Sequence, residues 1–303
     1  MKKMNCKGVA FGNLSAVEIL TDFVRMVIVT TFGPRIAYFG LRDREPNNIL
    51  LWQPGKYTRG DWDLRGGARV WVAGVGADER EDTYMPDNGE CTVEIGTDFV
   101  RVTGAKCEAN QTRRGMVIRQ VSEAVLQVES FVTNVGPMLY DGGIWAIACT
   151  VPSKVCTYAI AIGAENASWN AFNMVVFDKW AGHGQAGFDD DQVSMNQGFL
   201  LVDPVGIETK RMVESRLGII AMSDSTRGLT FAKRVTHNGF AKYPGACNTA
   251  FYIGPENFMV EMETMGEQGT ILPGQAVWHV EQWSLTDQVV QFQSHSDVVR
   301  LFD

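Results

Sequence analysis

The chain has 303 residues, 45% of them hydrophobic and 10% aromatic, enough to bury a large core as one big β domain or two ordinary ones. Its 35 acidic and 27 basic residues leave a formal charge of −8. That balance argues against a nucleic-acid backbone or an anionic membrane surface as the main partner and favours a small, neutral or weakly charged ligand. No run approaches the roughly 20 apolar residues that span a bilayer, and no apolar stretch follows the lysines of MKKMNCKGVAFGN, so the expected location is the cytoplasm.

In chain order, short apolar or alternating segments rich in Val, Ile, Phe and Thr predict strands at 16–20, 23–31, 35–41, 91–95, 99–103, 115–121, 125–133, 144–150, 199–203, 217–222, 230–234, 258–264 and 277–285. Gly, Pro, Asn and Asp punctuate the gaps, as at Phe32-Gly33-Pro34 and Leu272-Pro273-Gly274. No long segment holds a 3.6-residue apolar stripe, and no fixed repeat suggests a propeller or solenoid. The pattern predicts an all-β chain folded as a large two-sheet antiparallel sandwich, and the lack of a polar linker predicts a single domain over 1–303. Two stretches without strand pattern, 54–88 and 166–197, exceed ordinary loop lengths, and such loops are usually functional. The six cysteines form no C-x-x-C pair and read as reduced, mostly buried thiols.

The segment most suggestive of chemistry is NFMVEMETMGEQGTILPGQAVWHVEQWSL, residues 257–285. Alternate strand residues share a face about 7 Å apart, so Glu261 and Glu263 point one way while Val260 and Met262 point the other. A carboxylate on an apolar strand needs a polar cavity or a bonded partner.

Several motifs, in order along most of the chain, resemble galactose mutarotase-like proteins, the aldose 1-epimerase superfamily. They are Gly33-Pro34-Arg35-Ile36-Ala37-Tyr38-Phe39-Gly40-Leu41 followed by Asn47-Asn48-Ile49-Leu50, then Gly66-Gly67-Ala68-Arg69-Val70-Trp71, Tyr84-Met85-Pro86-Asp87-Asn88-Gly89, and Met262-Glu263-Thr264 before Leu272-Pro273-Gly274. The resemblance implies a sugar-sized cleft, Arg69 as a sugar-binding arginine and Glu263 as the general base of anomer interconversion. Members of the superfamily pair that glutamate with histidines. Here the corresponding positions fall at Asn88 and near Trp145, neither of which is an acid, and His183, His237, His279 and His295 match no motif position.

Around Glu263, the candidate substrate-binding residues are Arg69, Trp71, Asp87, Asn88, Trp145, Lys179, His183 and Glu261. Arg69 follows two glycines, which let backbone approach a ligand, and its guanidinium is a planar fork for hydroxyls or a carboxylate. Trp71, Trp145 and Trp169 offer aromatic faces for a sugar's C–H face. Asp87 and Asn88 offer paired donors and acceptors, although Pro-Asp-Asn-Gly is also a turn sequence. Lys179 and His183 lie in a glycine-bearing loop suited to close over a ligand, and with bound water they are the candidate acids.

His279 and Glu281 resemble half of a cupin-type metal pair without its second half, and Asp189-Asp190-Asp191 reads as a solvated acidic tip rather than a calcium loop. No metal or cofactor is called for, since phosphate-binding and nucleophile-elbow motifs are also lacking. The expected partner is a small carbohydrate. A non-catalytic sugar sensor on the same scaffold is the rival reading. A polysaccharide-lyase relative, with clustered cations and Tyr84 or Tyr243 as base, is a third.

Overall fold

The computed structural model describes residues 4–44, 47–59, 62–73, 85–164, 168–180, 183–196 and 198–303. Among these the chain is nearly all-β and forms two large antiparallel sheets, as the alternation predicts. In the first sheet the order is Asn5–Phe11, Leu14–Leu20, Val24–Val29, Arg35–Leu41, Ala68–Ala73, Tyr140–Thr150, Val260–Met265, Thr249–Ile253, Thr209–Val213 and Met174–Val176. Gly269–Ile271 pairs with the Tyr140 end of its neighbour. The second sheet runs Val193–Asn196, Phe199–Val202, Cys156–Ala161, Ile219–Asp224, Leu229–Val235, Ala276–Thr286, Val125–Asn134, Thr112–Gln120, Phe99–Cys107 and Thr92–Ile95.

The main core lies between the sheets. Ile28, Phe39, Val70, Ile144 and Met262 of the first face Val102, Ile118, Val128, Tyr158, Phe231 and Trp283 of the second. Phe39 meets both Phe231 and Trp283 edge-on with ring centroids 5.6 Å apart. Five cysteines are buried and Cys6 is half-buried, and none of the six is in a disulfide.

A charged pair sits inside this core. Lys233 Nζ lies 2.7 Å from Glu281 Oε1 and donates to the carbonyls of Met262 at 3.1 Å and Ala146 at 3.3 Å. Thr264 Oγ1 donates to Glu281 Oε1 at 2.6 Å and lies 2.8 Å from His279 Nε2. Since the hydroxyl proton goes to Glu281, His279 Nε2 is left to donate to Thr264. Burial depresses the His279 imidazole to about 4, so the ring is neutral. His279 and Glu281 therefore belong to an inter-sheet polar network, and among the described residues no cluster of three or more His, Cys, Asp or Glu forms a metal cage.

The two pattern-poor stretches hold more order than expected. Ala68–Ala73 is an inner strand of the first sheet, and Met174–Val176 and Val193–Asn196 are sheet-edge strands. The acidic tip is also corrected: Asp190 is buried, accepting from Thr209 Oγ1 at 2.6 Å with Arg211 at 3.6 Å.

Candidate functional site

The site grows from strand register on the outer face of the first sheet. Cys149 stands opposite Glu261, and Glu261 opposite Tyr252, which stands opposite Lys210. One step along, Arg69 is opposite Ile147, Ile147 opposite Glu263, and Glu263 opposite Ala250. Trp71, Trp145 and Met265 form the next row. These side chains share one face because alternate strand residues do. Small side chains at Cys149 and Ala250 leave room for two long cations to reach diagonally across a strand.

Arg69 takes one diagonal. Its Nη2 donates to Glu261 Oε1 at 2.9 Å and its Nη1 to Cys149 Sγ at 2.9 Å, while the Cys149 thiol donates to the same Glu261 oxygen at 3.3 Å. Its guanidinium also lies over the Trp71 ring, 4.0 Å from the centroid. Burial works against the Glu261 charge, but Arg69 and then Lys210 outweigh it and hold this carboxyl below its ordinary value.

Lys210 takes the other diagonal, its ammonium contacting both oxygens of Glu263. Trp145 Nε1 donates to Glu263 Oε2 at 2.8 Å. The ammonium sits between two aromatic faces, 4.8 Å from the Trp145 centroid and 4.9 Å from that of Trp180. Glu263 is 1% exposed. Burial pushes its carboxyl up to about 7 against the pull of Lys210, and Glu261 adds to the rise.

Over this face opens a cavity of about 530 Å³. Arg69, Glu261 and Trp71 lie at its sheet side, while Tyr57, Trp62, Trp180, Tyr252 and Phe258 contribute aromatic lining and Glu208, Lys56 and His183 add polar groups. Tyr252 donates its hydroxyl to Glu208. Glu263 and Lys210 instead line an adjoining chamber of about 20 Å³, with Trp145, Met265 and Pro244. Trp180 is common to both.

Sequence reasoning placed Glu263, Trp145, Arg69, Trp71 and Glu261 near one another, and they do meet. Each carboxylate has its own cation: Arg69 bonds Glu261 and Lys210 bonds Glu263. The glycines before Arg69 approach backbone rather than cavity: a Cβ on Gly66 would lie 2.3 Å from the Leu51 carbonyl oxygen, and one on Gly67 2.4 Å from that of Ile36.

Asp87 is buried with its Oδ2 accepting from Arg35 Nη2 and Trp71 Nε1, each at 2.8 Å, so this carboxylate braces Trp71 from behind. Asn88 closes the 3-10 turn Met85–Asn88 and, like Asp87, is not in the cavity lining. His183 lines the cavity from the short ribbon it forms with Lys179–Trp180, whereas Lys179 points to solvent. Trp169 is 92% exposed and outside the lining. Tyr84 lies outside the described residues, and Tyr243 borders a separate depression beside Trp278 and His279.

Lys210 and Trp180 are the residues that sequence reasoning missed. Lys210 lies in the Thr209–Val213 strand, TKRMV, whose two charges mask an otherwise buried run. The available signal was the Thr249–Ile253 strand pattern TAFYI, which pairs directly with the acidic strand and carries no cation, so that a compensating cation is called for on the strand beyond it.

No family model matches the sequence, and no curated protein matches it. Solved structures do. A galactose mutarotase-like protein from Clostridium acetobutylicum superposes with a TM-score of 0.58 at 9% identity, over 94% of this chain and 99% of that one. A candidate aldose 1-epimerase from Escherichia coli K12 gives 0.59 at 11% identity, over 93% and 99%. A galactose mutarotase-like protein from Lactobacillus casei gives 0.56 at 9% identity, over 93% and 100%. A likeness spread over nearly the whole of each chain at so low an identity assigns this chain the galactose mutarotase-like β-sandwich fold and nothing finer.

Proposed function

We propose that this protein binds a small, uncharged carbohydrate in the 530 Å³ cavity, with Arg69 and Glu261 bonding ring hydroxyls and the surrounding aromatic faces packing its C–H surfaces. The observation that carries this reading is the combination of an aromatic lining with one buried, mutually neutralised Arg–Glu pair. Such a lining suits a neutral ligand, because no net charge awaits a phosphate or carboxylate. The mutarotase-like fold neighbours agree with a sugar ligand. The protein acts as a single domain, in the cytoplasm.

The test is ligand-observed NMR with a panel of neutral aldoses. Saturable binding that weakens about tenfold or more in Glu261→Gln supports the reading. The absence of saturable binding by any sugar rejects it.

A second reading adds catalysis: anomer interconversion with Glu263 as general base. It is favoured by a carboxyl pushed up to about 7, a poise suited to accepting a proton at neutral pH. Acceleration of anomer exchange that disappears in Glu263→Gln supports it, and saturable binding without acceleration leaves a non-catalytic sensor. The lyase alternative is the weakest, since Tyr243, the candidate base among the described residues, is not in the lining that holds the basic groups Lys56, Arg69 and His183.

A further inference from the structure

Histidine acids are lacking at the positions the resemblance points to, while a buried cation touches the candidate base. We infer that Lys210 is the acid of the same reaction, so that a single Lys210–Glu263 ion pair both removes and supplies the protons of ring opening. This inference rests on the anomer-interconversion reading above and goes beyond it by naming the second catalytic residue.

The chemistry requires an acid and a base close together. In a cyclic hemiacetal the anomeric hydroxyl oxygen and the ring oxygen are bonded to the same carbon, so a donor and an acceptor in direct contact are spaced to serve both. Glu263 takes the proton of the anomeric hydroxyl, and the electrons of that O–H bond form the aldehyde C=O. The bond from the anomeric carbon to the ring oxygen breaks, and the ring oxygen takes a proton from Lys210 Nζ. Rotation about the adjacent C–C bond presents the other aldehyde face. The ring hydroxyl then adds to it, returning its proton to the amine while Glu263 returns its own to the new anomeric oxygen. Nothing is oxidised or reduced, and the pair ends as it began.

Four features of the site fit this role. The pair is buried, so when Glu263 accepts a proton the ammonium loses its counter-charge in a poorly solvated place, which drives the second transfer. Trp145 Nε1 fixes one carboxylate oxygen, giving the base a set orientation. The adjoining 20 Å³ is about the space of one water, and an anomeric oxygen would occupy it. Finally, Trp180 is the wall between this chamber and the 530 Å³ cavity and is itself only half-buried. Admission of the anomeric carbon requires this indole to turn aside, giving up its edge contact with Phe177 at 4.7 Å and its position over the ammonium.

The experiment measures sugar binding and anomer exchange by NMR on the same samples of wild type, Lys210→Arg and Lys210→Met, with folding checked by near-UV circular dichroism. Arginine keeps a cation against Glu263 but does not release a proton, so it separates ion pairing from acid catalysis. Lys210→Met is checked for folding and sugar binding at pH 6, where a protonated Glu263 needs no counter-charge, and its exchange is read against wild type at pH 8, where Glu263 is free to accept a proton. The expected result is that at least one variant folds and binds sugar like wild type, yet exchanges anomers at least 100-fold more slowly. Exchange within tenfold of wild type in either folded variant overturns the inference. Wild-type binding without acceleration overturns it too and leaves the sugar-binding reading standing, whereas wild type that neither binds nor accelerates rejects both.

Discussion

Glu261 and Glu263 sit two residues apart on one strand and one face, and they occupy opposite environments. Glu261 lines the open cavity, is bonded by Arg69 and Cys149, and has its carboxyl held below the ordinary value. Glu263 lines a chamber with space for about one water, is bonded by Lys210 and Trp145, and has its carboxyl pushed up to about 7. Both carboxylates are buried and both have a cation. The difference lies in the balance between desolvation and pairing, together with the repulsion that the ionised Glu261 exerts on its neighbour. Two acidic groups on one face with separated proton affinities let one serve as a fixed charge for recognition while the other exchanges a proton.

The comparison breaks most severely if Lys210 is removed. Lys210→Met is expected to lose about 3–5 kcal/mol of stability at pH 8, because Glu263 is left charged and unpaired. The loss should shrink as pH falls toward 5, where Glu263 takes up a proton, and urea denaturation at both pH values measures it. An equal loss at both values would mean that Lys210 acts through packing alone.

The other side of the same strand supplies a contrast in sign. His279 bonds Thr264 beside Glu263, and its folded-state value of about 4 lies below the ordinary 6.5. The folded protein thus binds this proton less tightly than the unfolded chain. Its contribution is present above about pH 6.5 and is lost as pH falls toward 4, by about 3 kcal/mol in all. Glu263 runs the other way, with a folded value above the ordinary 4.5, so its contribution is present below about pH 4.5 and is lost as pH rises through 7. Melting curves of wild type and His279→Gln between pH 4 and 7 isolate the histidine. Their separation should change across that window, and parallel curves would refute the buried neutral ring.

A smaller effect is expected where the cavity is open. Glu261→Gln keeps a hydrogen-bonding group of the same shape beside Arg69 and should cost about 1.5 kcal/mol of sugar affinity, read by NMR titration. The smallest effect comes from the shared wall. Trp180→Ala removes one aromatic face from the Lys210 ammonium, at about 1 kcal/mol of stability, and admits water to Glu263. The Glu263 carboxyl should then titrate closer to the ordinary carboxylate range, as followed by 13C NMR, and an unchanged titration would show that Trp180 is not what seals the chamber.

Much of the architecture was legible. Alternation in segments such as 125–133 and 277–285 is strong because one face of each strand meets the core, and these became the neighbouring strands Val125–Asn134 and Ala276–Thr286. Strands with charged residues were harder to see. Lys210 and Arg211 look like solvent-exposed groups in a one-dimensional reading, yet both are buried, one on Glu263 and the other on Asp190 and the carbonyls of Ala186 and Gly187. The Ala68–Ala73 strand was hidden for a similar reason, because Arg69 interrupts its apolar run and the glycines before it mimic a ligand loop.

For the site itself, the sequence Val-Glu-Met-Glu-Thr-Met was sufficient to set Glu261 and Glu263 on one face and the core residues Val260 and Met262 on the other, since the strand period of two is a local property of the backbone. Which cation each carboxylate meets depends on strand order. Arg69 is 192 residues from Glu261 and Lys210 is 53 from Glu263, and each reaches its partner diagonally across an intervening strand. Strand order follows from how two whole sheets bury their faces against each other, a sum over contacts along the entire chain that no local spacing encodes. Only the tertiary structure could therefore decide that one glutamate faces a large cavity and the other a small adjoining chamber.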